Sequence, residues 1–384
     1  MITGTAAVQE LREQLSRAAN DRTPLRIRGR GHWLDAGRPV QAAQVLDVGA
    51  LSGIVEYVPG DLTLTALAGT PLDEIAKVTG AERQWLALDP PGPADGTLGA
   101  TVSTASAGPL AHAFGGPRDN VLGLQVITGQ GELIESGGRV VKNVAGFDLT
   151  RLFTGAWGTL GVITMATVRL RGLPEVDESV TIPIDSGSNS LPALLSSLRT
   201  LQIAPLALEL LDAPLSRRLG AADAGSLLVR LAGNGDAVRA QRTILGQLGA
   251  VHDAPPNAWR RLREIELEAT ACAVLRLSRR PSDVADCIGA IHRDQPEGES
   301  APVLMHAAVG RGVARCIVPA ASAGGLDALL RKIETLAGSR VAERLPATHW
   351  SSMASAVGDP LSRRTKQSFD PLNILNPGIL GEKS

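Results

Sequence analysis

The sequence predicts an α+β protein of two domains, and three observations carry that reading. Its 384 residues suit two domains of roughly 100–200 residues each, and 44% of them are hydrophobic, enough for real cores. The first half mixes short strand-like runs with glycine-rich turns. Beyond Gly172-Leu173-Pro174, the order strand, helix, strand, strand, helix occurs twice. The expected organisation is residues 1–174, residues 175–347, and a segment 348–384 that returns to the first domain.

From Thr5 to about Asn20, apolar Val8, Leu11, Leu15 and Ala18 fall on one helix face. Leu25–Arg28 reads as a strand running into Gly29-Arg30-Gly31. Val45–Val48 and Gly53–Val58 are β-rich, and Pro59-Gly60-Asp61 marks a turn. Leu62, Leu64 and Ala66 alternate with Thr63 and Thr65, the period of a half-buried strand. Pro71–Thr79 reads as a helix with proline in its first turn. Asp89 to Gly116 is mostly Gly, Pro, Ala, Ser and Thr, about 28 residues without a periodic element, and so long an irregular stretch is usually functional. Val121–Thr128 and Glu132–Ser136 flank Gly129-Gln130-Gly131 as a hairpin, and Leu160–Leu170 is a long apolar strand.

In the second half the first repeat is Val180–Ile184, Leu191–Leu201, Leu206–Leu211, Ser226–Ala232 and Ala237–Leu248. The second is Cys272–Ser278, Ser282–Ile291, Val303–Val309, Val313–Val318 and Gly325–Leu336. Each β-α-β-β-α unit is expected to form a small antiparallel sheet with helices on one face, with Asp253–Arg263 joining the two.

Lys and Arg total 38 against 39 Asp and Glu, a net charge of -1, so no basic face recommends nucleic acid. Aromatic residues at 3% argue against a stacking platform for single strands. Cys272, Cys287 and Cys316 lie far apart, without CxxC or zinc spacing, and read as small hydrophobes in a reducing compartment. No metal site is expected. The N-terminus carries Glu10, Arg12 and Glu13, and no run of 18 apolar residues occurs, so a soluble cytoplasmic protein is expected.

The glycines suggest nucleotide binding, but the common motifs fail. After Gly31, Gly235 and Gly312 the third glycine of G-x-G-x-x-G is missing, and no G-x-x-x-x-G-K-[ST], H-E-x-x-H or G-x-S-x-G occurs. Three other small-residue segments remain. Arg28-Gly29-Arg30-Gly31-His32 follows a strand, and its glycines let backbone amides turn toward a pyrophosphate. Gly96-Thr97-Leu98-Gly99-Ala100-Thr101-Val102-Ser103 offers small residues and hydroxyls to a flat ring or a phosphate. Gly158-Thr159-Leu160-Gly161-Val162-Ile163-Thr164 opens into a strand. Each alone also serves as a plain turn; together they point to a long ligand threaded between loops.

The run from Val141-Lys142-Asn143-Val144-Ala145-Gly146-Phe147-Asp148 through Gly158–Thr164 resembles the FAD-binding signature of the vanillyl-alcohol oxidase family. So do Arg118-Asp119-Asn120-Val121-Leu122-Gly123-Leu124 and the tail from Phe369-Asp370-Pro371 to Asn376-Pro377-Gly378. Within that family the chain is similar to FAD-binding subunits of glycolate oxidases. The resemblance implies a PCMH-type FAD-binding domain of two subdomains, followed by an α+β cap. It implies that residues 28–32 hold the pyrophosphate, that residues 96–103 run along the pyrophosphate and isoalloxazine, and that Gly158, Gly161, Val162 and Ile163 flank the adenine end. Arg118, with Asp119 beside it, would place positive charge near the flavin, and Asn143 would join the cofactor site.

Departures from the family pattern bear on catalysis. Phe147 stands where many members have Tyr. Catalytic 2-hydroxyacid dehydrogenases of the family carry H-x-G-D-G-N-x-H; here His306-Ala307-Ala308-Val309-Gly310-Arg311-Gly312 keeps one histidine and no Asp-Gly-Asn. His306 is the only catalytic candidate, and a lone histidine on a strand also reads as a core residue. Arg28–His32 is similar to the R-[ST]-G-G-H loop that binds flavin covalently in some members, but Arg30 replaces a glycine, so non-covalent FAD is expected, with His32 a donor in the loop. Three cysteines do not supply the four thiolates of an iron–sulfur cluster. The resemblance therefore implies a component of a glycolate- or D-lactate-oxidising complex with a larger catalytic flavoprotein subunit and an iron–sulfur subunit, touching membranes only through these partners. A self-sufficient oxidase and a non-catalytic flavin-binding scaffold remain the alternatives.

Overall fold

A computed structural model describes residues 6–138, 148–184, 191–292, 302–336 and 338–381. Contacts divide the chain into two units: Met1–Gly108, Gly115–Leu173 and Trp350–Ser384 form one, and Pro109–Phe114 with Pro174–His349 the other.

In the first unit the helix Ala6–Asn20 buries Val8, Leu11, Leu15 and Ala18, the face that the sequence predicts. Strands β1 (Leu25–Arg28) and β2 (Gln44–Asp47) pair in parallel, and Leu375 bridges to Leu25 in parallel on the same small sheet. Next come β3 (Ile54–Val58), β4 (Thr63–Leu67), a short β5 (Gln84–Trp85), β6 (Val121–Ile127), β7 (Leu133–Gly137), β8 (Val162–Arg169) and a short β9 (Arg171–Gly172). Five of them form an antiparallel sheet in the order β3-β4-β8-β6-β7. The two sheets share one core, from Leu15 and Leu25 through Ile75 and Val126 to Leu375.

Two expectations are corrected here. β4 is buried on both faces, and the Thr65 and Thr167 hydroxyls share a hydrogen bond of 2.9 Å inside the sheet. The stretch Asp89–Gly116 also contains a helix, Leu98–Thr104, capped by Thr97, whose Oγ1 accepts from the Ala100 amide at 3.3 Å. Its β-branched and small residues hide it from propensity, and tertiary packing of Leu98 and Val102 decides it.

The second unit contains β10 (Val176–Pro183), β11 (Ala207–Leu211), β12 (Ser226–Gly233), a short β13 (His252–Asp253), β14 (Ala271–Ser278), β15 (Leu304–Ala308), β16 (Val313–Pro319) and β17 (Ser339–Arg344). The repeated elements fall where the sequence places them, within a few residues. Their sheets, however, are not separate: β11 pairs antiparallel with β15, giving one eight-stranded sheet in the order β13-β10-β12-β11-β15-β16-β14-β17. Two unexpected helices, Ala213–Leu219 and Ala258–Glu268, pack on Leu211, Leu228, Leu304 and Ile317 of one face. The opposite row of Leu210, Leu227, Ala307 and Ala314 is equally buried, so the sheet is covered on both faces rather than one. Cys287 and Cys316 are buried and Cys272 half-buried, all as free thiols, and burial pushes the Cys316 thiol well up. Among the described residues no helix is long and apolar enough to cross a membrane.

Candidate functional site: a glycine-walled cleft

β1 ends at Arg28, and the chain turns away through Gly29, Arg30 and Gly31, which holds φ +96°. The loop's side chains are drawn to carboxylates. Arg28 Nη2 meets Asp47 Oδ2 at 2.5 Å, Arg30 Nε meets Asp95 Oδ2 at 3.2 Å, and His32 Nε2 lies 2.9 Å from Asp95 Oδ1. The Arg28 guanidinium holds the Asp47 carboxyl below its usual range against partial burial, helped by the Gly49 amide. These pairs are exposed and add little stability; they fix where the side chains go. The loop thus offers main chain to the cleft, and the Gly29, Arg30 and Gly31 amides meet no acceptor among the described residues.

Across from this loop, the helix Leu98–Thr104 presents Thr97, Gly99, Ala100, Ser103 and Thr104, and Trp157–Gly158 closes the wall with Gly161, Val162 and Ile163. Together they line one open cleft. A Cβ on Gly29 would stand 2.8 Å from Thr97 Oγ1, and one on Gly158 would stand 2.9 Å from both Asn376 Nδ2 and Ile27 Cδ1. Walls of glycine backbone too close for a Cβ suit a pyrophosphate joined to flat rings.

Of the residues expected at the cofactor, Arg28, Gly29, Arg30, Gly31, His32, Gly96, Thr97, Gly99, Ser103, Gly158, Gly161, Val162 and Ile163 line this one cleft. Leu98, Thr101 and Val102 do not: they are buried on the inner side of the helix, and Thr101 gives its hydroxyl to Thr97 O at 3.0 Å. Arg118 and Asp119 also stand outside the cleft lining. The Arg118 guanidinium donates twice to Thr154 O, at 3.2 and 3.1 Å, and Asp119 Oδ2 accepts from the Gly116 amide at 2.9 Å. Both secure backbone, which answers their charge without a flavin. Asn143 lies outside the described residues.

Several cleft residues escape the loop motifs. Trp33 and Trp157 abut two of the motifs in sequence, so adjacency was the available signal. Asn376 comes from the tail: its Oδ1 accepts from the Ile27 amide at 2.9 Å, and its Nδ2 donates to Trp157 O at 2.8 Å. Ile379 follows it into the wall.

The catalytic candidate belongs to the second unit. His306 on β15 is buried, and its Nδ1 lies 2.7 Å from Oε2 of Glu209, a buried carboxylate on β11. The register pairing Leu211 with His306 and Glu209 with Ala308 puts both side chains on one sheet face. His112, in the segment Pro109–Phe114 of the same unit, packs its ring beside Gly310; burial pushes its pKa down, Glu209 opposes that, and Arg311 adds to it. His349 Nε2 stands 3.2 Å from Asp327 Oδ1. Among the described residues no cluster of three or more His, Cys, Asp or Glu is placed to hold a metal.

A small parallel sheet and a larger antiparallel one, with a glycine-walled cleft at the end of the first strand, define a PCMH-type flavin-dinucleotide-binding protein. The family described as "FAD binding domain" matches residues 5–137. The chain is 37% identical over 260 residues to glycolate oxidase subunit GlcE of Escherichia coli K12, covering 67% of this chain and 69% of that one. It is 31% identical to glycolate oxidase subunit GlcD of Bacillus subtilis 168 over 53% of this chain, and spans 44% of that longer protein. A solved structure of alkyldihydroxyacetonephosphate synthase matches 96% of the chain with a TM-score of 0.69 at 17% identity, a likeness of fold. The chain belongs to the FAD-binding oxidoreductase family that contains the glycolate oxidase subunits, and its cofactor is FAD.

Proposed function

We propose that this chain is the FAD-binding subunit of a glycolate oxidase-like 2-hydroxyacid dehydrogenase, oxidising glycolate or D-lactate and passing electrons to partner subunits. The observation that carries the reading is the convergence of three small-residue loops on one cleft, in a chain similar to GlcE over two thirds of both proteins. The partners are a larger catalytic flavoprotein subunit and an iron–sulfur subunit, the location is cytoplasmic, and membranes are met only through the complex.

FAD supplies the two-electron acceptor for the CH–OH carbon. This chain's residues bind and orient it. The Gly29–Gly31 amides would meet the pyrophosphate charge, Thr97 and Ser103 would offer hydroxyls beside it, and the hydrophobic Val162 and Ile163 would exclude water from the wall. His306 is held by Glu209 within the sheet of the second unit. Without the second histidine and Asp-Gly-Asn of the catalytic relatives, the pair serves cohesion more than proton abstraction. General-base help is typically worth about 10²–10⁴-fold, so the chain alone turns over slowly.

The test is steady-state turnover with a dye acceptor and glycolate or D-lactate, for the FAD-loaded chain alone and after co-expression with candidate partners. Turnover is expected to stay below about 1 s⁻¹ alone, under the ordinary enzymatic range, and to rise with partners. His306→Ala should lower the melting temperature by leaving Glu209 buried without its donor, while FAD stays bound. Turnover above that rate by the isolated chain, lost in His306→Ala, would establish a self-sufficient dehydrogenase instead.

A further inference from the structure

The second unit holds a cavity of its own, of about 410 Å³, within the size range of small-molecule sites. Every residue lining it belongs to that unit, His112 included. Its walls are mostly apolar. The helix Leu191–Leu198 gives Leu195 and Leu198, the chain after it gives Leu201 and Ile203, β11 gives Leu208, and Val309 follows β15. Hydrogen bonds fasten the chain that forms them. The Ala204 amide donates to Gln241 Oε1 at 2.7 Å, and the Leu206 amide to Arg230 O at 2.8 Å. Gly310 admits the His112 ring to the wall, since a Cβ there would stand 2.6 Å from His112 Cε1.

Two polar side chains interrupt these walls. Arg199 is exposed, so it stands where the cavity meets solvent. Its Nε donates to Leu195 O at 3.2 Å, which leaves both Nη groups without an acceptor among the described residues. His112 is half-buried, and neither of its ring nitrogens meets a hydrogen-bond partner among the described residues. Burial keeps this imidazole neutral at pH 7, a donor rather than a second charge. Glu209 and Arg311 act on the ring from nearby without lining the cavity, and Glu209 is already held by His306. No carboxylate lines the cavity. One fixed positive charge and one neutral N–H therefore face an apolar hollow. A guanidinium fork matches a carboxylate in shape and charge, whereas a phosphate dianion would be only half neutralised. The leucines need a chain to cover them, which glycolate lacks. We propose that this cavity binds a monocarboxylate carrying an aliphatic chain of about six to ten carbons, with its carboxylate at Arg199 and His112 and its chain along the leucines. No lining residue is shared with the glycine-walled cleft, so the site does not rest on the cofactor assignment.

The full chain is titrated calorimetrically with octanoate, and in parallel with acetate, 1-octanol and octyl phosphate. Octanoate binds saturably, one molecule per chain. Acetate, which lacks the tail, and octanol, which lacks the charge, each bind at least about tenfold more weakly, the scale of a lost charge-assisted hydrogen bond. Arg199→Gln, at an exposed position, leaves the melting temperature of the free protein unchanged. It weakens octanoate by a similar factor and leaves octanol as it was. His112→Phe keeps the ring's shape and removes its donor, weakening octanoate about threefold or more. Leu198→Glu sets a carboxylate in the wall and abolishes octanoate binding. Absence of saturable octanoate binding would overturn the site. Octanoate affinity unchanged in Arg199→Gln, or matched by octanol, would overturn the carboxylate head. Octyl phosphate binding more tightly than octanoate would overturn the choice of a monoanion.

Discussion

A Cβ built on Gly29 would come within 2.8 Å of Thr97 Oγ1, which can turn aside only by giving up its cap on the Ala100 amide. On Gly99 it would stand 2.6 Å from Ala68 Cβ and 2.8 Å from Ala68 O, where backbone cannot yield. The two glycines therefore fail differently when replaced. Gly29→Val should cost the apoprotein about 1 kcal/mol, the size of a lost N-cap, while lowering FAD affinity at least tenfold by filling the pyrophosphate approach. Gly99→Val should cost about 1–3 kcal/mol of apoprotein stability through overpacking. Paired thermal melts and FAD dialysis separate the two, and equal melts for both variants would contradict it. The loops were legible because glycine next to a strand end has few other uses. Leu98, Thr101 and Val102 lie outside the cleft lining because they sit on the inward face of a helix that the sequence hid. The bond between Glu209 and His306 joins residues 97 apart, and no local pattern announces it.

Among the elements, β14, β16 and β17 carry an unusual row across the face covered by the helix Ala258–Glu268. Arg315, with its guanidinium buried, meets Glu266 of that helix and reaches Glu343 Oε2 at 2.6 Å. Arg276 Nε meets Glu343 Oε1 at 3.0 Å, and Arg344 meets Glu266. Burial alone would push the Glu343 carboxyl up; the Arg315 and Arg276 guanidiniums outweigh it and hold the carboxyl below the ordinary range. A carboxylate depressed in the fold contributes stability above its unfolded pKa of about 4.3, lost as pH falls through the folded value. Melts between pH 7 and pH 3 should therefore show the second unit weakening at the acid end. Glu343→Gln should flatten that slope and cost about 3–5 kcal/mol at neutral pH, by removing one partner of a buried pair. An unchanged slope would show that other carboxylates govern acid unfolding. The strands here were legible from their apolar runs, and the repeat was real. The fusion into one sheet was not, because strand periodicity says which residues share a face but not which edge meets which.

For the whole molecule, the telling feature is where the chain ends: Trp350–Ser384 is counted with the first unit, beyond the long excursion through the second. Lys366 Nζ donates to Thr159 O at 2.8 Å and to Leu375 O at 3.1 Å, and pairs with buried Asp370 at 2.7 Å. Asp370 in turn accepts from the Ile374 and Leu375 amides, at 3.1 and 2.8 Å. Phe369 packs edge-on to Phe153, with centroids 5.2 Å apart. Through these contacts Leu375 lies beside Leu25, and Asn376 and Ile379 enter the cleft wall. The wall of the cleft is thus completed by a segment remote in sequence from every glycine loop. Asp370→Ala removes both amide acceptors and leaves Lys366 half-enclosed without its carboxylate. The expected cost is about 3–5 kcal/mol, together with weaker FAD binding, because Asn376 no longer fixes Trp157. Limited proteolysis should then cut near the C-terminus first, and excess FAD should slow that cut, since a ligand favours the form that binds it. A variant that melts early but binds FAD as tightly as the wild type would confine the tail to a structural part.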